Sequence, residues 1–114
     1  MNIDSAIFYT HNIEQAKDFY IIMLGFTLEY EQAGKYLSFI FPNNVRLGIK
    51  LSKEAREVPG HQTVFIADES IEKHYDEVKS KGVKIYKELT TEEWGKNFSI
   101  LDPDGNKIQF VRRD

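Results

Sequence analysis

One order of elements occurs twice in this chain. Ile3 to Thr10 is rich in β-branched and aromatic residues and predicts a strand that runs into a helix N-terminus at His11-Asn12. Asn12 is placed as an N-cap, with Gln15 three residues on completing a capping box. Ile13, Ala16, Tyr20 and Met23 then recur at helical spacing, and Gly25 stops the helix. Phe26 to Glu31 alternates apolar and charged residues, Gln32-Ala33-Gly34 turns, and strands over Tyr36 to Phe41 and Val45 to Leu51 flank Pro42-Asn43-Asn44. After a polar stretch from Lys53 to Gly60 the order returns. Gln62 to Ala67 predicts a strand, and Ser70 to Lys81 a helix with Ile71, Tyr75 and Val78 on one face and Gly82 at its end. Val83 to Glu88 predicts a strand, and Phe98 to Leu101 with Lys107 to Val111 predict a hairpin around Asp102-Pro103-Asp104-Gly105-Asn106.

A β-α-β-β-β order used twice is an internal duplication, and it sets the organisation: one α+β domain with a first module over about 1–52, a linker over about 53–60 and a second module over about 61–114. The echo also touches individual residues, since Phe8 and Phe65 stand at the same separation as Gly25 and Gly82. At 114 residues there is room for one core only. Eighteen acidic against fifteen basic residues leave a net charge of −3, which does not attract phosphate backbones, so no nucleic-acid partner is expected. The absence of cysteine excludes disulfides, thiolate metal sites and a cysteine nucleophile together. The longest nearly apolar run, Phe19 to Phe26, is far below the roughly 20 residues a bilayer requires. Asp4 stands where a signal peptide wants Lys or Arg, and the expectation is a cytoplasmic protein without a membrane partner.

Strand alternation assigns faces. In the first hairpin Leu37, Phe39, Phe41, Val45, Leu47 and Ile49 share a side, opposite Tyr36, Ser38, Ile40, Arg46, Gly48 and Lys50. In the last, Phe98, Ile100, Ile108 and Phe110 oppose Ser99, Leu101, Lys107 and Gln109. If each module turns its helix outward, the second, more polar faces meet and enclose a groove able to hold a small molecule; otherwise they are the solvent faces of half-buried sheets.

These fragments, in this order, resemble the vicinal oxygen chelate superfamily, the group of glyoxalases, bleomycin-resistance proteins and extradiol dioxygenases. The resemblance covers almost the whole chain: Ile3-Asp4-Ser5-Ala6-Ile7-Phe8-Tyr9 into Asn12-Ile13-Glu14-Gln15-Ala16-Lys17-Asp18-Phe19-Tyr20, Leu24-Gly25-Phe26, Trp94-Gly95-Lys96-Asn97-Phe98, and Asp102-Pro103-Asp104-Gly105-Asn106-Lys107-Ile108. It implies two β-α-β-β-β modules forming a half-barrel cleft, with paired chains that share or swap modules. In metal-using members one ligand stands near the start of each module's first strand and one on each module's last strand. Carried over, those places fall on Ser5, Gly48, Gln62 and Gln109. A divalent transition metal wants imidazole or carboxylate donors, and this set supplies neither, so no metal and no cofactor are expected.

His11, His61 and His74 are assigned to a loop, a strand end near solvent and a helix surface, with no catalytic role. No residue is assigned to catalysis, and Glu92-Glu93 and Asp102 with Asp104 are read as solvated turn residues. The reading is a metal-free protein that encloses an organic ligand, planar or anionic. Trp94, the single tryptophan, is placed at the cleft rim for stacking, with Tyr36 and Tyr9 as a second aromatic wall and Ser38 and Ser99 lining the cleft. Arg46 and Lys50 favour a carboxylate or phosphate and argue against a cationic drug. The alternative is a divalent-metal lyase, isomerase or thiol transferase of the glyoxalase or fosfomycin-resistance kind, and a third reading is an accessory subunit with a filled cleft. A homodimer is expected, because two half-barrel modules leave sheet edges and apolar surface uncovered.

Overall fold

The computed structural model describes residues 1–114, and the duplicated order stands. Module 1 holds β1 (Ser5–Thr10), α1 (Ile13–Asp18), β2 (Leu28–Gln32), β3 (Tyr36–Ile40) and β4 (Arg46–Leu51). Module 2 holds β5 (Thr63–Ala67), α2 (Ile71–Ser80), β6 (Ile85–Glu92), β7 (Gly95–Leu101) and β8 (Lys107–Arg113). Each makes a four-stranded mixed sheet, in the order β1-β4-β3-β2 and β5-β8-β7-β6. The first and last strand of each module run parallel, which the intervening helix permits, and the rest are antiparallel. No helix is long and apolar enough to cross a membrane.

Local chemistry explains the ends. The Asn12 side chain accepts the Gln15 N–H at 3.0 Å, as a cap should, but the box does not close: the Asn12 N–H donates to Thr10 Oγ1 at 3.1 Å instead. The helix then widens into a π-helical turn over Phe19–Met23, which turns Tyr20 fully inward. Gly25 and Gly82 follow the two helical segments at φ +70° and +77°, the left-handed exit that glycine makes without strain. β6 runs longer than the expected strand. Irregularities between Ile85 and Thr90 break its alternation, so its second half carried no period-two signal.

Parity in the hairpins holds. Leu37, Phe39, Leu47 and Ile49 in one sheet and Phe98, Ile100 and Ile108 in the other are at most 1% exposed. Each such side chain contributes about 1.5–3 kcal/mol by leaving water. Together with Ile13, Ala16 and Tyr20 from the first helical segment and Ile71 and Val78 from α2, they belong to one cluster that draws on both modules. The apolar face of each sheet is thus covered by its own module's helix, and the cluster continues from one module into the other.

The Asp102–Asn106 turn joins them. Asp104 accepts from Thr10 Oγ1 (2.5 Å) and the His11 N–H (3.0 Å), Asp102 accepts from the Tyr20 hydroxyl (2.7 Å), and Asn106 Nδ2 donates to the Tyr9 carbonyl (3.0 Å). Asn106 Oδ1 also takes the N–H groups of Gly60 and Gln62. The reading of Asp102 and Asp104 as solvated turn residues is thus corrected: Asp102 is 6% exposed and binds the other module.

Candidate functional site

The second faces of the sheets are built from the strand register. In module 1, Ser5, Ile7 and Tyr9 lie beside Arg46, Gly48 and Lys50, which lie beside Ile40, Ser38 and Tyr36. Tyr36, Ser38, Ile40, Arg46, Gly48 and Lys50 are the set assigned from alternation, and β1 adds Ser5, Ile7 and Tyr9 to it. Gly48 has a packing reason: a Cβ there would run into the Tyr36 hydroxyl and Ile7 Cδ1, so only glycine lets Tyr36 lie flat on the sheet. Burial, aided by the Asp4 carboxylate, raises the Tyr36 phenol above its ordinary pKa. Tyr36 thereby covers the place that a module 1 ligand would occupy.

The two cations of this face are not free. Arg46 grips Glu29 with Nε and Nη2, at 2.7 and 3.1 Å, and lies 3.8 Å from Asp4. Lys50 Nζ contacts both oxygens of Glu57, at 2.7 and 2.6 Å, and Glu57 further accepts the N–H groups of Lys53 and Glu54. Arg46 and Lys50, expected to meet a ligand's carboxylate or phosphate, each hold a carboxylate of this chain. One of these carboxylates, Glu29, stands on β2 of the same module, and the other, Glu57, in the linker after β4.

The Lys50 ammonium, with those two N–H groups, lowers the Glu57 carboxyl from 4.5 to about 2. A carboxyl whose folded value is depressed stabilises the fold above its unfolded value and loses that contribution as pH falls through the folded one. Melting temperatures of the wild type and Glu57→Gln should hence differ at pH 6 and converge between pH 4.5 and 2. A gap that persists at pH 2 would show that Glu57 acts by packing alone.

In module 2 the open face carries Thr63, Phe65 and Ala67 beside Lys107, Gln109 and Val111, with Leu101, Ser99 and Asn97 next in line. Phe65, not Val64 or Ile66, points outward at 58% exposure, because Gln109 pairs with Phe65 as Gly48 pairs with Ile7. Phe65 therefore corresponds to Ile7, one residue short of Phe8, although Gly25 and Gly82 keep the expected correspondence. The place carried over to Gln62 consequently moves to Thr63. Gln62 falls on the alternate parity with Val64 and Ile66, its Oε1 buried without a partner.

Nor do the two open faces enclose a groove within one chain. Tyr9, at the end of β1, meets Asn106 beside the start of β5, while Ala6 and Ala67 line one cavity of about 320 Å³ at the seam. The neighbouring edges thus run in opposite senses, and the start of β1 lies at the far end from the start of β5. Ser5 and Gly48 stand apart from Thr63 and Gln109. Two hydroxyls, a glycine and an amide do not fit a divalent transition metal, and no cluster of three His, Cys, Asp or Glu side chains exists elsewhere. His11 and His61 are exposed, whereas His74 Nδ1 pairs with the buried Asp68 at 2.7 Å, beside α2 and away from both open faces.

The module 2 face differs in electrostatics. Lys107 lies over the Tyr86 ring at 5.4 Å and Arg113 over the Trp94 ring at 5.0 Å, and neither forms an ion pair. Trp94 sits in the β6–β7 turn, 38% exposed. Asn97 and Ser99 are buried, at 1% and 2%. Asn97 Oδ1 accepts from Gln109 Nε2 at 3.4 Å, and its own Nδ2 has no partner. Sequence reasoning passed over Phe65, Tyr86, Asn97 and Arg113. Alternation along β8 could have grouped Arg113 with Lys107 and Gln109, but nothing local could have placed Phe65.

A family model described as Glyoxalase/Bleomycin resistance protein/Dioxygenase superfamily matches residues 2–110. A comparison with curated proteins finds no match. Among solved structures the chain is similar to TnmS3, an antibiotic binding protein from Streptomyces sp. CB03234, at 22% identity, over 100% of this chain and 97% of that one, with a TM-score of 0.85. TioX from Micromonospora sp. ML1 matches at 16% identity over 100% of both chains, TM-score 0.83. Lactoylglutathione lyase from Agrobacterium tumefaciens matches at 14% identity over 97% of this chain and 92% of that one, TM-score 0.81. At such identities the likeness is one of fold.

Proposed function

The chain belongs to the glyoxalase/bleomycin resistance protein/dioxygenase superfamily, and from that membership we propose that it is a metal-free protein that binds and sequesters a small organic molecule. One observation carries the reading: Ser5, Gly48, Thr63 and Gln109 offer no imidazole, carboxylate or thiolate, so a bound ligand meets hydroxyls, amides and aromatic rings and no Lewis acid. A fold neighbour described as an antibiotic binding protein supports binding as an occupation of this architecture.

The binding unit is a homodimer. In support, the two open faces of one chain are separated, and a second copy is needed to bring a module 1 face over a module 2 face. Tyr30, Phe65 and Tyr86, 55%, 58% and 64% exposed, are apolar surface that such a pairing would cover. In the paired cleft Tyr36 and Tyr9 form one wall, Ser38 and Ser99 lie along the floor, and Trp94 stands at the rim.

Elemental analysis of protein purified without chelator tests the reading, together with Trp94 emission titrated against planar organic molecules. Substoichiometric metal and a saturable emission change are expected. One tightly held metal per chain, with an activity lost to chelation, would establish the lyase, isomerase or transferase alternative. A flat response to every molecule would favour an accessory subunit.

A further inference from the structure

A further cavity, of about 260 Å³, opens at the seam between segment 25–27, which precedes β2, and helix α2. Phe26 and Phe41 from module 1 and Ile66 and Phe110 from module 2 give it apolar walls. An apolar cavity of about 150 Å³ already admits benzene, so this one has room for a ring and a short chain. Its polar end is built by β5 and α2. His74 and Glu77 stand three residues apart on one face of the helix, and Asp68 directly follows β5. Asp68 is buried with both oxygens committed: Oδ1 accepts the Ser70 N–H at 3.0 Å, and Oδ2 meets His74 Nδ1 at 2.7 Å. An ionised carboxylate only accepts, so the proton between them sits on Nδ1, and Nε2 of the neutral imidazole keeps a lone pair for a donor. The nearest cation to Glu77 is Lys73, one turn back at 4.0 Å and 73% exposed, too loose and too solvated a contact to neutralise it. No Lys or Arg lines the cavity. Its polar end therefore offers acceptors and negative charge.

We propose that this cavity binds a small apolar amine, with its hydrocarbon body against the phenylalanine walls and its ammonium donating to His74 Nε2 and the Glu77 carboxylate. The charge at the polar end decides the class: a carboxylate or phosphate would meet Asp68 and Glu77 with no cation to receive it, whereas an ammonium is attracted by both. All of these residues belong to one chain, so the cavity is complete without a second copy and stands apart from the cleft between paired open faces.

Calorimetric titration of the full chain at pH 8, where a free imidazole is neutral and an alkylamine charged, tests it with three probes of one shape: 2-phenylethylamine, 2-phenylethanol and 3-phenylpropanoate. The amine should bind about tenfold tighter than the alcohol, and the propanoate most weakly. Glu77→Gln should cut the preference for amine over alcohol at least about threefold. His74→Asn, whose amide N–H can still reach Asp68, should weaken amine and alcohol alike by about fivefold. Glu14→Gln, which removes an exposed carboxylate on α1, should change neither. The wild-type series decides the charge preference without any variant: equal or tighter binding of the alcohol or the propanoate overturns the proposal. So does an amine preference that survives Glu77→Gln, or an amine affinity that His74→Asn leaves unchanged, since the amine would then sit elsewhere. No measurable binding of the amine overturns it as well, and leaves the reading of the open cleft standing.

Discussion

Asp102→Ala is expected to lower the free energy of unfolding by about 3–5 kcal/mol, read from urea denaturation. The carboxylate, 6% exposed, accepts from the Tyr20 hydroxyl, Asn106 Nδ2, and the N–H groups of Asp104 and Asn106. Truncation leaves the Tyr20 hydroxyl and the Asn106 amide, both fully buried, without this acceptor, at a cost of about 1–3 kcal/mol each. The variant also sheds the desolvation of a buried charge, so the loss is smaller than four bonds summed. Asp104→Ala, at a less buried position, should cost about 1 kcal/mol. An Asp102→Ala variant within 1 kcal/mol of wild type would mean that the turn does not hold the modules together.

Burial raises the Asp102 carboxyl above its ordinary value, against the pull of Tyr20 and Asn106, and holds the Tyr20 phenol well above its own. An acid with a raised folded value takes up its proton more readily in the fold than in the unfolded chain. Its ionisation therefore costs stability above that value, and the cost is relieved as pH falls. Acid lability arises instead at Glu57, where the shift has the opposite sign.

Much of the architecture was legible because its determinants are local. The side-chain period of two separates Leu37, Phe39, Leu47 and Ile49 from Tyr36, Ser38, Gly48 and Lys50 without any knowledge of the partner strand. Asn12 and the two helix-ending glycines are likewise short-range signals. What escaped was set by pairing across the chain. Phe65 looks like a core residue by its chemistry and by its echo of Phe8. Only its position beside Gln109 sends it outward, in a module one residue shorter between first strand and helix end. The same holds for charge: Lys50 is free or spent according to where Glu57 folds, and Asp102 is a solvated turn residue or a buried anchor according to where Tyr20 lies. Composition and spacing do not carry such facts.

Gly95→Ala is the second substitution with a large expected effect, about 3 kcal/mol or more of stability, and its consequences reach the open face of module 2. Gly95 opens β7 at φ +147°, a backbone region that L side chains rarely adopt, directly opposite Arg113. A Cβ would collide with the Arg112 carbonyl oxygen, and the contact is with backbone, so no rotamer can relieve it. The strand end must move, and with it the two-residue turn that presents Trp94 beneath the Arg113 guanidinium. Thermal unfolding and Trp94 emission should therefore shift together, the indole losing its stacked cation and shifting in wavelength before the main transition. Phe98→Ala, in the core of the same strand, should cost a similar 3–5 kcal/mol while leaving the native emission of Trp94 as it was. Were Gly95→Ala to melt with the wild type and keep its emission, the close approach between Gly95 and Arg112 would not be what shapes the rim, and Trp94 would owe its place to Arg113 alone.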